Sequence, residues 1–176
     1  MQNFLKPDQV LMEAGLRPEM HVVDLGCGNG FFTMPAASIV GNQGQVIAVD
    51  ILEESLSKIM SQARLNRQKN IRTLHFDLED QTGSEIPPLS CDFVLVGKVL
   101  PQFSKPENLV KEAYRILKTG GVAVIVEWKK EHMVLGPSYE LRLDQEEAKG
   151  MFIKKGFKFL REFEPDKYHY VLLLQK

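Results

Sequence analysis

Short apolar runs alternate with helical patterns along most of the chain. His21 to Leu25 reads as a first strand, followed by a helix near Phe31 to Val40. The run "GQVIAVD" is a second strand ending at Asp50. Beyond it, Leu52, Leu56, Ile59, Met60 and Ala63 form one apolar stripe at helical spacing. "IRTLHFD" is a third strand ending at Asp77, and "CDFVLVG" a fourth. Ser104-Lys105-Pro106-Glu107 has the form of a capping box. The helix it opens runs to about Leu117 and stops at Gly120-Gly121. "VAVIVEW" is a fifth strand, apolar almost throughout, as a strand buried on both faces must be. Asp144 with Glu147 marks another helix start, and Gly156 its stop. Strands alternating with helices predict a parallel sheet covered on both sides.

The C-terminal end breaks that alternation. "GFKFLREFEPD" and "YHYVLLLQK" are both strand-like, with only Pro165, Asp166 and Lys167 between their cores. A parallel crossover needs a dozen or so residues. One of the two strands is therefore expected to be antiparallel, as a hairpin or inserted beside a neighbour.

The 176 residues suit one domain, 1–176, with a sizeable core. There are 22 basic and 23 acidic side chains, a balance that argues against a strong electrostatic grip on nucleic acid. Cys27 and Cys91 are too few for a disulfide framework, lack metal-ligand spacing, and read as reduced core thiols. No metal site is expected. No apolar run approaches a membrane span, and "MQNFLKPDQ" lacks the apolar core of a signal peptide, so a cytoplasmic protein is the default.

The candidate chemistry begins at "VVDLGCGNG", where Gly26, Gly28 and Gly30 follow a strand on alternate positions. Free amides at a following helix N-terminus attract polar or anionic ligand groups, and glycine lets a ligand press against backbone. The dinucleotide fingerprint would place its third glycine at position 31, which is Phe31. The observed spacing is Asp-x-Gly-x-Gly-x-Gly instead. Asp50, about twenty residues beyond Gly30, is placed to accept both hydroxyls of a ribose. Asp77 and the amide of Leu78 could read the edge of an adenine. Three acids thus stand at the carboxyl ends of three successive strands, the edge at which open α/β sheets bind ligands.

This constellation resembles the class I S-adenosylmethionine-dependent methyltransferases. "VVDLGCGNG", "VIAVD", "HFDLED" and "RILKTGGVAVIVEW" match four of that family's motifs in order, and the last segment matches its helix-to-hairpin ending. The resemblance covers nearly the whole chain and is greatest to the branch containing ubiquinone- and menaquinone-pathway and small-molecule methyltransferases. It implies a Rossmann-like three-layer sandwich with a mostly parallel seven-stranded sheet and one antiparallel strand near the C-terminus. The implied cofactor is S-adenosylmethionine. Asp24 with Gly26, Cys27, Gly28, Asn29 and Gly30 would hold its methionine part. Asp50 would hold the ribose, with Ile51 on the adenine, and Asp77 and Leu78 would read the adenine edge. Val96 and Gly97 would run beneath the sulfonium.

Methyl transfer from an activated sulfonium chiefly requires alignment of the acceptor. The related branch often carries a histidine pair after the fourth strand. Here that place reads Val99-Leu100-Pro101-Gln102, which puts a histidine base in doubt. Lys98, Gln102 and Phe103 are the local substrate-binding candidates. The segment "EWKKEHMVLGPSYELRL" adds Glu127 as a candidate base and Trp128 and Tyr139 as apolar walls, with His132 and Arg142 nearby. His21, His75 and His169 fall in expected strands and read as structural. No Asn-Pro-Pro-Tyr type motif follows the fourth strand, which makes adenine methylation in DNA less fitting.

No separate substrate domain remains once the core fold is counted. The acceptor site is expected from these two loops and the segment around Phe4 to Gln9, either within a monomer or completed in a homodimer. The expected activity is methyl transfer to a small-molecule acceptor. A non-catalytic cofactor- or partner-binding module is the alternative from another class. A nicotinamide-dependent oxidoreductase is less favoured because of Phe31.

Overall fold

A computed structural model describes residues 4–80 and 82–176. Twelve regular elements follow in order: α1 (Pro7–Glu13), β1 (His21–Leu25), α2 (Thr33–Val40), β2 (Gln45–Asp50), α3 (Glu53–Leu65), β3 (Ile71–His75), β4 (Cys91–Gly97), α4 (Pro106–Ile116), β5 (Leu117–Trp128), α5 (Gln145–Lys155), β6 (Lys158–Phe163) and β7 (His169–Gln175). The seven strands form one sheet in the order β3-β2-β1-β4-β5-β7-β6. The first five are parallel to one another, and β7 is antiparallel to both β5 and β6. The short gap after β6 is thus resolved by insertion of β7 between β5 and β6.

Two apolar layers sandwich the sheet. On one face, Val23, Val94 and Ile125 pack with Leu109, Ala113 and Ile116 of α4 and Phe152 of α5. On the other, Val22, Leu95 and Val124 pack with Leu11 of α1, Ala36 of α2 and Ile59 of α3. β4 and β5 lie between both layers, and Val94, Leu95, Val96, Val124 and Ile125 are fully buried. The near-continuous apolar run of β5 is the signature of that double burial.

Four local expectations differ from the structure. The helix after the glycine loop starts at Thr33, two residues later than expected, because the turns through Gly28 and Gly30 take positive φ angles. The backbone leaves strand geometry at His75, so Asp77 stands two residues beyond β3. Ser104 does not cap α4: its hydroxyl donates to Glu79 Oε1 at 2.6 Å, and Lys105 is the N-cap with Pro106 opening the helix. The glycine pair does not end α4 either. β5 begins directly at Leu117, and the Gly120-Gly121 pair falls where the β4–β5 register shifts between Cys91 and Phe93. A Cβ on Gly121 would come within 2.9 Å of the Lys118 carbonyl, so only glycine lets the irregular strand pass.

The helix α1 was not expected at all. Its signals were present: Pro7 at the first turn, Asp8 beside it, and Val10, Leu11 and Ala14 forming the buried face. At α5 the reading holds. Asp144 Oδ1 accepts from the amides of Glu146 and Glu147, and Gly156 closes the helix at φ 117°. Replacing Asp144 with alanine is expected to destabilise the protein by about 1 kcal/mol. Urea denaturation checks this: a midpoint equal to that of the parent protein would show that the cap contributes nothing.

Candidate active site at the carboxyl edge of the sheet

Strand order reverses between β1 and β4, and at such a switch point the connections leave in opposite directions and open a crevice. A cavity of about 410 Å³ runs along α3, but a larger one, about 610 Å³, lies at this crevice. Its wall includes Asp24, Gly26, Cys27, Gly28, Asn29, Asp50, Ile51, Asp77, Leu78, Gly97, Lys98, Gln102 and Phe103. Thirteen of the expected site residues therefore converge on one space. Gly30, Val96, Glu127, Trp128 and Tyr139 are not part of its wall.

The three loop glycines turn out to have different jobs. All have positive φ, the region that favours glycine. A Cβ on Gly26 would come within 2.6 Å of Val99, and one on Gly30 within 2.9 Å of Ile59. Those two permit close packing of protein against protein. A Cβ on Gly28 would meet nothing within 4 Å, although Gly28 lines the cavity. Its bare backbone therefore faces the space a ligand would fill.

Asp50 fixes that backbone. Its Oδ2 accepts from the Gly28 amide at 2.8 Å and its Oδ1 from the Leu52 amide at 2.9 Å. Asp24 sits deeper, 2 % exposed, and accepts from the Thr33 hydroxyl at 2.6 Å. Burial pushes its carboxyl up to about 7, against the lowering effect of that hydrogen bond and with a further push from Asp50. Asp24 is thus a buried acid of β1 whose side chain is tied to the first residue of α2. Burial also raises the Cys27 thiol, so this cysteine is a neutral wall residue. At the far side, Asp77 Oδ1 accepts from the Glu79 amide at 2.9 Å. Glu79 Oε1 in turn accepts from Ser104 and from the Lys105 amide, which ties this loop to the one after β4.

Glu127 works from behind the wall. It is 1 % exposed, and its Oε1 accepts from the amides of Val99 at 2.8 Å and Leu100 at 3.0 Å. Burial moves its carboxyl up to about 8 despite those bonds. The contacts make it the anchor of the loop after β4. Trp128 packs on His169, with ring centroids 4.1 Å apart. Tyr139 stacks on His132 at 4.4 Å on the half-exposed segment that follows. Arg142 is 3 % exposed and donates to the carbonyls of Lys129, Glu131, Leu135 and Pro137, so it holds that whole segment in shape.

Sequence reasoning passed over Phe32, Leu52, Phe76 and Val99, which also line the cavity, and treated Phe31 only as a steric argument. One signal was available. Phe31 is 45 % exposed, Ile51 55 % and Leu52 60 %, an apolar rim in the connections that follow β1 and β2.

Residues 16–171 match a family described as a methyltransferase domain. The chain belongs to this family. The ubiquinone/menaquinone biosynthesis C-methyltransferase UbiE of Pseudoalteromonas translucida is 29% identical over 133 residues, covering 75% of this chain and 52% of that protein. The demethylmenaquinone methyltransferase of Staphylococcus aureus is 31% identical over 123 residues, covering 68% and 47%. This methyltransferase chain thus spans about half the length of the curated relatives it matches. In the solved structures, a SAM-dependent methyltransferase from Aquifex aeolicus superimposes with a TM-score of 0.90 at 27% identity, covering 98% of this chain and 90% of that one. The class I S-adenosylmethionine-dependent reading and the Rossmann-like sandwich are both borne out.

The geometry at Gly28 gives a direct expectation. Gly28→Val should abolish binding of S-adenosylhomocysteine in calorimetry while circular dichroism stays that of a folded protein. Normal binding by a folded Gly28→Val protein would show that the loop is only a turn.

Proposed function

We propose that this methyltransferase carries the methyl group of S-adenosylmethionine to a small, flat, apolar acceptor by direct in-line transfer. The observation that carries the reading is the bare Gly28 backbone facing a cavity of about 610 Å³, with Asp50 locked beside it and Asp24 beneath. When bound, the cofactor supplies an already activated methyl group on a positively charged sulfur.

The chain's residues then divide the work. Asp24 pairs with the ammonium of the methionine end. Asp50, with lone pairs left after its two amide bonds, accepts the ribose hydroxyls. Ile51 and Leu52 cover the adenine, and Asp77 with the Leu78 amide meets its polar edge. Gly97 leaves room at the end of β4: a Cβ there would come within 2.8 Å of the Phe32 ring. Phe31, Phe32, Phe103 and Lys98 bound the side on which an acceptor would lie. Alignment in such a walled site is worth several kcal/mol of barrier or more. The names of the relatives, all concerned with ubiquinone or menaquinone, favour an aromatic ring as acceptor.

Among the described residues no helix is long and apolar enough to cross a membrane. A single domain working on a diffusible acceptor is the organisation we infer.

Calorimetric titration with S-adenosylmethionine and with NAD tests the reading: binding of the first and not the second is expected. Asp50→Ala should weaken S-adenosylmethionine by about 1.5–3 kcal/mol, the scale of hydrogen bonds to a charged group. Unchanged affinity in a folded variant would remove Asp50 from the ribose.

Asp24 adds a pH signature. In the unliganded protein its carboxyl titrates at about 7 because burial disfavours the charge. A cationic ammonium binds the ionised form, so affinity should rise with pH up to about 7 and then level. Well below that point the slope should approach about tenfold per pH unit. Asp24→Asn should flatten the profile, and a wild-type profile already flat from pH 5 to 8 would separate the ammonium from Asp24.

A further inference from the structure

The wall of the crevice is lopsided in charge. Among the described residues it holds four carboxylates, those of Asp24, Asp50, Asp77 and Glu79, and one cation, Lys98. Each carboxylate has a donor within the protein. Thr33 serves Asp24, the Gly28 and Leu52 amides serve Asp50, and the Glu79 amide serves Asp77. Ser104 and the Lys105 amide serve Glu79. The Lys98 ammonium has no ion pair or hydrogen bond among the described residues, and its close neighbours are two aromatic rings.

Lys98 is held at the cavity by its own backbone. It follows Gly97, the last residue of β4, and takes φ 58°, a left-handed conformation that a non-glycine residue seldom adopts. Several contacts impose that conformation. Its amide donates to the Val126 carbonyl at 2.7 Å, and its carbonyl accepts from Gln102 Nε2 at 3.0 Å. Glu127 holds the next two amides. Strain of this kind persists only where the surroundings over-determine it, and it gathers at ligand sites.

The side chain so launched carries its ammonium to 4.2 Å from the centroid of the Phe31 ring and 6.0 Å from that of Phe32. The two rings meet edge to face at 5.0 Å, and Phe32 packs on Gly97 so closely that a Cβ there would strike it. Lys98, Phe31 and Phe32 therefore make one corner of the wall, beside the end of β4. An aromatic face attracts a cation but neutralises no charge. A half-buried ammonium without a counter-ion has unused capacity to bind an anion. Two anions could answer, the cofactor's own carboxylate and one on the acceptor. The first is attached to the same carbon as the ammonium assigned to Asp24, which is buried. Phe31, under the lysine, belongs to the exposed rim. This difference in depth favours the acceptor.

We propose that Lys98 is the specificity-determining residue of the acceptor site and selects a flat aromatic molecule that carries a carboxylate, which pairs with the ammonium while the ring lies among Phe31, Phe32 and Phe103. The proposal rests on the methyl-transfer reading above and adds one negative charge to the apolar acceptor described there. Lys98 orients the acceptor and makes or breaks no bond. A lone ammonium matches a singly charged carboxylate better than a phosphate, for which the described wall offers no second cation.

The test uses the full chain and two probes of one shape, 1-naphthoate and its uncharged counterpart 1-naphthamide. Both are titrated by calorimetry, with and without S-adenosylhomocysteine. Wild type should bind naphthoate more tightly than naphthamide by about tenfold or more, the scale of one hydrogen bond to a charged group. Lys98→Met should erase that preference by weakening naphthoate alone, and Lys98→Arg should keep most of it. Circular dichroism checks that the variants fold, and Lys98→Gln repeats the first change should Lys98→Met fail to do so. Affinity for S-adenosylhomocysteine, and for 5′-methylthioadenosine, which lacks the amino-acid end, should be the same in wild type and Lys98→Met. Loss of S-adenosylhomocysteine affinity alone in that variant would assign the lysine to the cofactor's carboxylate and overturn the proposal. Equal affinity of wild type for the two probes, binding of neither, or a preference that survives Lys98→Met would overturn it as well. A wild-type protein that binds naphthoate through Lys98 but does not bind S-adenosylhomocysteine would support the anion site and strike the methyl-transfer reading instead.

Discussion

The Asp50 carboxylate sits between two amides, Gly28 on one strand-end loop and Leu52 on the next. One group thereby sets the position of the loop after β1 relative to the start of α3. The Val49 carbonyl adds to this by accepting from Gly26 and Cys27 at 2.9 and 3.0 Å. Without these bonds the backbone of residues 26–30 would have three positive-φ glycines and little to restrain them. With them, the loop is a fixed concave surface whose open face is at Gly28. Recognition of a ligand by backbone needs such prior fixation, since ordering a loop on binding subtracts from affinity.

The other half of the crevice is held by a similar device. Glu127, at the end of β5, reaches across to the amides of Val99 and Leu100 after β4. Lys98, immediately before them, takes a left-handed backbone conformation and donates its amide to the Val126 carbonyl at 2.7 Å. A buried acid therefore presents a lysine and an apolar turn to the cavity rather than acting there itself. The two carboxylates restrain opposite walls, Asp50 from within the cavity's lining and Glu127 from behind it. Asp24 differs from both, because among the described residues its only side-chain partner is the neutral Thr33 hydroxyl, and burial pushes its carboxyl up to about 7.

Much of the fold could be read from periodicity. Strands β1, β2 and β4 and the cap and stop of α5 fall where the apolar runs, Asp144 and Gly156 place them. The misreadings share a cause. Ser104 has the sequence of a cap, but Glu79 competes for its hydroxyl across 25 residues. Gly120-Gly121 has the sequence of a helix stop, but the sheet uses the pair to absorb a change of register. In each case a partner distant in the chain overrides a sound local rule. The helix α1 is a different kind of miss, since its Pro7 and its apolar positions were visible.

Within the site the same division applies. The order of the acids Asp24, Asp50 and Asp77, with the glycine spacing, was enough for the sequence to specify the family and to point to the sheet edge where the large cavity lies. Those features are local: a strand period, a turn residue, and an acid at a strand end. Which glycine faces the cavity, and which merely packs, required Val99 and Ile59 to arrive from elsewhere. Glu127 looked like a base and is an anchor, because its partners come from another loop. His169 falls in β7, and only the insertion of that strand beside β5 sets its ring against Trp128. Sequence spacing fixes which groups a strand end carries, whereas sheet order decides which strand ends are neighbours. The crevice is lined from the ends of β1, β2, β3 and β4, well separated along the chain, so only the tertiary structure could assemble it.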